Sequence, residues 1–277
     1  MTVLEPRPLT DWPAQERAHI AGVITDIDDT LTEDGQIMSQ ARAALSALAR
    51  AGLPVLAVTG RPVGWSLPWL SDNGQTNEPA WPLLGIVAEN GAVALSRQPD
   101  GRIARLYRAD ASTRQANHRR LQAALQAVES ALPQARRAQD SAGRETDIAI
   151  DHSEFHRLNP AQIEQVVTLL RGHGLRVTVS SIHINAWLGE HDKWVGARWA
   201  VQAWLHRSLT DELQRWVYVG DSSNDEVMFE HMHHSVGVAN VTRFLPRMRH
   251  RPKYISDHHR GEGFAQVAQA VLAARSP

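Results

Sequence analysis

The chain has 277 residues, 43% of them hydrophobic, which is enough to fill the core of one large domain or two ordinary ones and does not indicate disorder. Its 29 basic and 30 acidic residues leave a net charge of -1, so no long-range field exists to gather nucleic acid or an anionic membrane. The absence of cysteine removes disulfides, thiolate zinc sites and cysteine nucleophiles, and no apolar stretch approaches the roughly 20 residues of a membrane span. With an opening segment that lacks the apolar run of a secretory signal, the expectation is a soluble cytoplasmic protein, monomer or homodimer.

Residues 19–26 (HIAGVITD) form a short β-branched apolar run ending in acids, followed by the turn-forming TLTEDGQ; this predicts a buried strand that opens into a loop. Ser39 begins SQARAALSALARAG, whose Ala and Leu spacing is helical and which stops at Gly52, and LPVLAVTG is a second buried strand. Strand, helix, strand implies a right-handed parallel crossover. Pro62 then suits a helix start, Pro68 should break or kink that helix, and GIVAENG reads as a third strand.

From Gly91 to about Leu188 the pattern changes to ARLYR, a polar helix from about Ser112 to Leu132, ETDIAID, a helix across 160–172, LRVTVSS and IHINAWL. Parallel-sheet grammar returns with a helix across 193–206, the strand WVYVGD, a helix from Asp225, the strand SVGVAN, a short strand near KYIS and a final helix GFAQVAQAVLAA. The fold expected is α/β: a Rossmann-like parallel-sheet core from residues 1–91 and 189–277, with residues 92–188 inserted as an α+β cap.

In open parallel sheets the working residues collect at the carboxyl ends of strands, where Asp26, Thr59, Asn90 and Asp221 all fall. Asp26 and Asp28 flank Ile27, and two carboxylates about 4 Å apart at an effective dielectric near 20 repel by roughly 4 kcal/mol. Such crowding calls for a cation. With Asp221 the oxygen set suits Mg²⁺ rather than zinc. Asp26 can then attack phosphorus to form an acyl phosphate while Asp28 serves as acid and then base. Thr59 and Lys193 can hold the phosphoryl oxygens, with Asp225 pairing the lysine. Lys193 stands out because it and Lys253 are the only lysines among the basic residues.

DIDDTLT, VTGRP, a lysine opening a helix and GDSSND, in that order, resemble the four motifs of haloacid dehalogenase phosphatases. The insert, with ENGA before it and SSIHIN near its end, is similar to the large subclass IIB (C2B) cap of sugar phosphatases and phosphomannomutases. The resemblance implies that Asp26, the Asp28 backbone carbonyl and Asp221 bind Mg²⁺, with Asn224 and Asp225 supporting the site. Thr30, Gly60, Arg61 and Asn90 are then expected to line the phosphorylated small-molecule substrate. Asp29 stands where many relatives have glycine or asparagine.

In the cap, Ile148 and Ile150 alternate with Glu145, Asp147 and Asp151, and Val177 and Val179 with Arg176, Thr178 and Ser180, giving a sheet with one apolar face for helices. The polar face, with Ser181, His183, Asn185 and Arg176, is expected to look toward the active site and read a polyhydroxylated substrate, with Arg144 for a second anionic group. His231, His233 and His234, and the pair His258 and His259, lack a scaffold to converge them and are expected to be exposed rather than a zinc site. The nine tryptophans read as core or subunit-contact residues, with Trp65 or Trp69 placed to meet the cap. The expected activity is Mg²⁺-dependent hydrolysis of a small phosphorylated sugar or sugar-acid. The alternatives are a sugar phosphomutase, which returns the phosphoryl group to another hydroxyl, and a noncatalytic sugar-phosphate sensor.

Overall fold

The structure is a computed structural model and describes residues 5–71 and 79–275. The first half of the core comprises β1 (Arg7–Pro8), α1 (Ala14–Ala18), β2 (Gly22–Thr25), the small hairpin β3 (Thr32–Glu33) and β4 (Gln36–Ile37), α2 (Ser39–Arg50), β5 (Val55–Val58), α3 (Val63–Leu70) and β6 (Gly85–Ala88). An edge pair follows, β7 (Val93–Arg97) and β8 (Ile103–Tyr107). Next come α4 (Ala111–Ala131), β9 (Arg136–Arg137), β10 (Asp147–Asp151), α5 (Pro160–Gly172), β11 (Arg176–Val179) and β12 (His183–Trp187). The chain returns through α6 (Lys193–Leu205), β13 (Trp216–Gly220), α7 (Glu226–His231), β14 (His234–Gly237), β15 (Tyr254–Ile255) and α8 (Arg260–Ala273).

Among the described residues the main sheet has nine strands in the order β1-β15-β14-β13-β2-β5-β6-β7-β8. It is parallel from β1 to β6 and antiparallel at β7 and β8. Both faces are covered, so its central strands read as continuous apolar runs with alternate residues going to opposite layers. Val23 and Val55 pack toward α2 and α8, while Ile24 and Leu56 pack toward α6 and α7.

The chain does not leave this sheet near residue 91, where the division was expected. VALSR and IARLY hydrogen-bond onto β6 as an antiparallel edge, and the second sheet follows only after Tyr107. A strand's sequence records its period and not its partner, so ARLYR fits either sheet by pattern alone. Pro68 lies inside α3, which ends two residues later at Leu70, as a proline that interrupts the helical hydrogen bonds should make it do.

The inserted sheet is antiparallel, ordered β11-β12-β10-β9. Ile148, Ile150 and Ile184 meet Leu121, Leu125, Val166 and Leu170 of α4 and α5 on one face. Asp147, Asp151, His183 and Asn185, on the opposite face, are buried as well, because that face sits on the end of the main sheet where the parallel strands finish. Two glycines set the junction. Gly91 has φ +106°, and a Cβ there would stand 2.1 Å from the Asp192 carbonyl oxygen; one on Gly196 would stand 2.5 Å from the Gly91 Cα. This bare backbone contact lets α6 lie against the turn after β6 and brings Lys193 beside the end of β2.

Candidate active site

β2 and β13 are neighbours, so the loops after them bring Asp26 and Asp221 together. Lys193 is buried at the first turn of α6, with Nζ 2.6 Å from Asp26 Oδ1 and 2.6 Å from Asp225 Oδ1. Asp225 is fully committed. Oδ1 also accepts from the Tyr218 hydroxyl at 2.5 Å, and Oδ2 accepts from the backbone N–H groups of Asp221 at 2.8 Å and Ser222 at 3.0 Å. Burial lowers the pKa of the lysine, but the carboxylates of Asp225 and Asp26 outweigh it and hold that pKa above the ordinary value.

The donor set fits a hard divalent cation. Oxygens of Asp26, Asp221 and Asp225 lie within 4.8 Å of one another, and Asp221 Oδ1 is buried without a hydrogen-bond partner. Asp221 Oδ2 accepts from Asn240 Nδ2 at 3.0 Å, which fixes the carboxylate and leaves its other oxygen for an ion. Burial, reinforced by Asp225 and Asp26, pushes the Asp221 carboxyl well above its usual range; burial does the same to Asp26, against the opposing pull of Lys193. A cluster that otherwise favours protons is one that a cation stabilises in its ionised form. Since four donors already engage Asp225, its oxygens have no position left for an ion. Asn224 is buried nearby, its Oδ1 accepting from the Ser222 hydroxyl at 2.9 Å.

Asp29 occupies the left-handed region at φ 54°, which gives a backbone reason for the glycine or asparagine of related motifs. Its carboxylate is held by Arg260 at 3.0 Å and Arg243 at 3.4 Å, and its carbonyl accepts from Asn240 at 2.9 Å. Thr30 and Thr59 are buried; the Thr59 hydroxyl accepts from the Arg61 N–H at 3.0 Å, and Thr30 Oγ1 has no hydrogen-bond partner. A Cβ on Gly60 would stand 2.6 Å from Asn185 Nδ2, so only glycine leaves room where the loop after β5 meets the cap. Asn90, left-handed at φ 55°, gives its amide to Asp147 at 3.2 Å and ties the end of β6 to β10.

The cap reaches the site through Arg61. Its guanidinium binds both oxygens of Asp28 from Nε at 3.0 Å, Glu154 from Nη2 at 2.7 Å and Asp140 from Nη1 at 3.2 Å. His183 Nε2 is 2.8 Å from the other Glu154 oxygen. The turn carrying Glu154 is itself held by Asp151, whose carboxylate accepts from the backbone N–H groups of residues 153 to 156. His183 and Asn185 border a narrow recess that also touches Asp26, Gly60 and Asn224. It adjoins a polar cavity of about 470 Å³ between core and cap, bordered by Asp28, Arg61, Glu154, Arg157, Arg243 and Arg260.

Although burial acts the other way, the bonds from His183 and Arg61 pull Glu154 down to about 2. A depressed carboxyl adds stability above its unfolded value, near 4.5, and loses it as pH falls through the folded one. Wild type should therefore melt above Glu154→Gln by a constant margin over pH 5–7. Thermal melts should show that margin narrowing from about pH 4.5 toward pH 2; a margin independent of pH would sink the assignment.

Two expectations for the cap are corrected. Arg144 is buried, and its fork is spent on Asp140 at 3.1 Å, Asp147 at 2.8 Å and the Gly60 carbonyl at 3.0 Å, making it a strut between cap and core rather than a ligand for a second anion. Arg176 lies away from the recess and pairs with Glu190 at 3.3 Å. Trp65 carries the Arg61 guanidinium 5.0 Å from its ring, while Trp69 lies between Trp65 and Trp81 with its ring tilted against both. Sequence reasoning missed Glu154, Asp140, Asn240 and the arginines Arg157, Arg243 and Arg260, and also Glu89, which accepts from the N–H groups of Val63, Glu145 and Thr146 at the core–cap junction. Only the position of Glu89 in ENGA, at a strand end, marked it.

The histidines divide. His231, His233, His258 and His259 are exposed as expected, but His234 is buried, because it opens β14 between β13 and β15 and its ring lies 5.2 Å from Trp12. Burial, with neighbouring His233 and Lys253, pushes it down to about 4.

Residues 23–119 match the family model for haloacid dehalogenase-like hydrolases. No curated protein matches the sequence. Among solved structures, the sucrose-phosphatase of Synechocystis sp. PCC6803 is similar at 18% identity and TM-score 0.60, over 90% of this chain and 97% of that one. The trehalose-6-phosphate phosphatase C-terminal domain of C. albicans is similar at 11% and 0.64, over 99% of both chains. The subclass IIB sugar phosphatase BT4131 is similar at 14% and 0.61, over 91% and 99%. At these identities the likeness is one of fold, cap included. No helix among the described residues is long and apolar enough to cross a membrane.

Proposed function

We propose that this haloacid dehalogenase-like chain hydrolyses the phosphate monoester of a small sugar or sugar-acid through an aspartyl-phosphate formed on Asp26. The observation that carries the reading is the Lys193 ammonium 2.6 Å from both Asp26 and Asp225, with the unpartnered oxygen of Asp221 in the same cluster. Asp26, Asp221 and the Asp28 backbone carbonyl would hold Mg²⁺, which when bound screens the nucleophile and the phosphate from each other.

An Asp26 oxygen attacks phosphorus and the bond to the sugar oxygen breaks, while Asp28 gives that oxygen its proton. Asp28 then takes a proton from water, which attacks the acyl phosphate, frees Asp26 and releases inorganic phosphate. Lys193 and the Thr59 hydroxyl steady the phosphoryl oxygens. Because the Arg61 fork covers both Asp28 oxygens, Asp28 becomes available only when that fork is drawn off, a task for the incoming substrate in the cavity.

The polar cavity and the recess beside it support a polyhydroxylated substrate: Glu154 borders the cavity and His183 the recess, and Ser181 Oγ and Asn185 Oδ1 are buried there without hydrogen-bond partners. Arg157, Arg243 and Arg260 along its wall suit the carboxylate of a sugar-acid. Purified protein with Mg²⁺ should release phosphate from at least one member of a panel of sugar phosphates and phosphoglyceryl glycosides, and EDTA should stop it. An isomerised sugar phosphate as the main product, or no turnover on any compound, would overturn the reading.

A further inference from the structure

We propose a second metal site, for a late first-row divalent ion such as zinc, formed by Glu16, His233 and His234. His233 and His234 lie at the start of β14, with Glu16 of α1 beside them, whereas Asp26 and its partners gather where the parallel strands finish. The site is therefore separate from the phosphate chemistry.

The starting observation is an acceptor facing an acceptor. His234 is 2% exposed, and its Nε2 is 3.1 Å from the Gln214 carbonyl oxygen, a contact that only a protonated nitrogen can make. The single proton of a neutral ring is then on Nε2 and the lone pair on Nδ1. That Nδ1 is buried without a hydrogen-bond partner and lies 3.5 Å from Glu16 Oε2, itself buried without one. Two lone pairs at that separation repel unless a proton or a metal cation stands between them.

His233 completes the set. Its ring is nearly perpendicular to that of His234, at 80° with centroids 4.6 Å apart, and one ligand atom from each of the three residues lies within 4.8 Å of the others. Zinc at about 2.0–2.1 Å from each ligand needs separations of about 3.3 Å, and the exposed His233 ring is free to rotate inward. Two imidazoles and one carboxylate, with a fourth position left for water, suit zinc rather than Mg²⁺ or Ca²⁺. The Gln214 carbonyl on the far nitrogen of His234 is the outer partner that a metal-bound imidazole requires, and Trp12 walls the ring from solvent. Adjacent histidines cannot enclose an ion alone; Glu16, arriving from α1, supplies the scaffold and would be fastened to the sheet by the ion.

Lys253 Nζ lies 4.0 Å from Glu16 Oε2 and is one-third exposed, so it offsets the carboxylate when no ion is bound and can swing into solvent when one is. It competes with the metal. The test is a zinc titration of the whole chain against a chromophoric chelator, with excess Mg²⁺ present, together with thermal melts. One equivalent of zinc should bind and raise the melting temperature. Glu16→Gln and His233→Ala, both at partly or fully exposed positions, should each weaken binding at least about 10-fold. Lys253→Ala should tighten it, and Asp221→Asn should leave it unchanged. Absence of the zinc equivalent, equal affinity in Glu16→Gln and His233→Ala, or loss of binding in Asp221→Asn would overturn the proposal.

Discussion

Asp26→Asn should lower phosphate release by about 10,000-fold or more, since the proposed mechanism then loses its nucleophile and keeps only the contribution of binding and positioning. The substitution nearly conserves shape, and the carboxamide oxygen can still accept from Lys193 where Asp26 Oδ1 does. The fold should tolerate it: burial and the neighbouring carboxylates already push Asp26 toward its neutral form, so a neutral side chain relieves repulsion from Asp225 and Asp28. The expected result is a protein with an unchanged or slightly raised melting temperature and no turnover. Phosphate release measured under single-turnover conditions, beside a thermal melt, checks both halves. Residual activity within about 100-fold of wild type would mean that another group attacks phosphorus.

The parts of the site legible in the sequence are those that one strand and its following loop encode together. Asp26 and Asp221 could be placed because a buried apolar run fixes where a parallel strand ends, and neighbouring parallel strands end side by side. Lys193 could be placed because a lysine in an arginine-rich chain, opening a helix, stands out. What lay beyond reach was the docking of cap on core. Arg144 and Glu154 are both charged residues near cap strands, yet one became a buried strut and the other the group that meets Arg61 and His183. Which did which depends on how the Asp151 turn and the Gly60 contact seat the cap, a relation between segments 84 or more residues apart that no local pattern carries. The same limit misassigned β7 and β8, whose alternation is compatible with either sheet, and hid His234, whose burial comes from strands on both sides of it.

Lys193 and Asp225 should be coupled in stability as well as in catalysis. Lys193→Met removes the charge that offsets two buried carboxylates and should cost about 3–5 kcal/mol, the usual penalty for breaking a buried pair from one side. Asp225→Asn fails for a different reason. Every acceptor position of that carboxylate is taken, by Lys193, Tyr218 and the N–H groups of Asp221 and Ser222, so a carboxamide must turn an N–H₂ group against donors. Leaving such groups unsatisfied costs about 1–3 kcal/mol. In the double variant the introduced methionine needs no carboxylate partner, and the total loss should fall short of the sum of the single losses by about 1–3 kcal/mol. Denaturant unfolding of the four proteins measures this coupling. Strict additivity would mean that the 2.6 Å contact between Lys193 and Asp225 contributes nothing, and that the lysine is held by Asp26 alone.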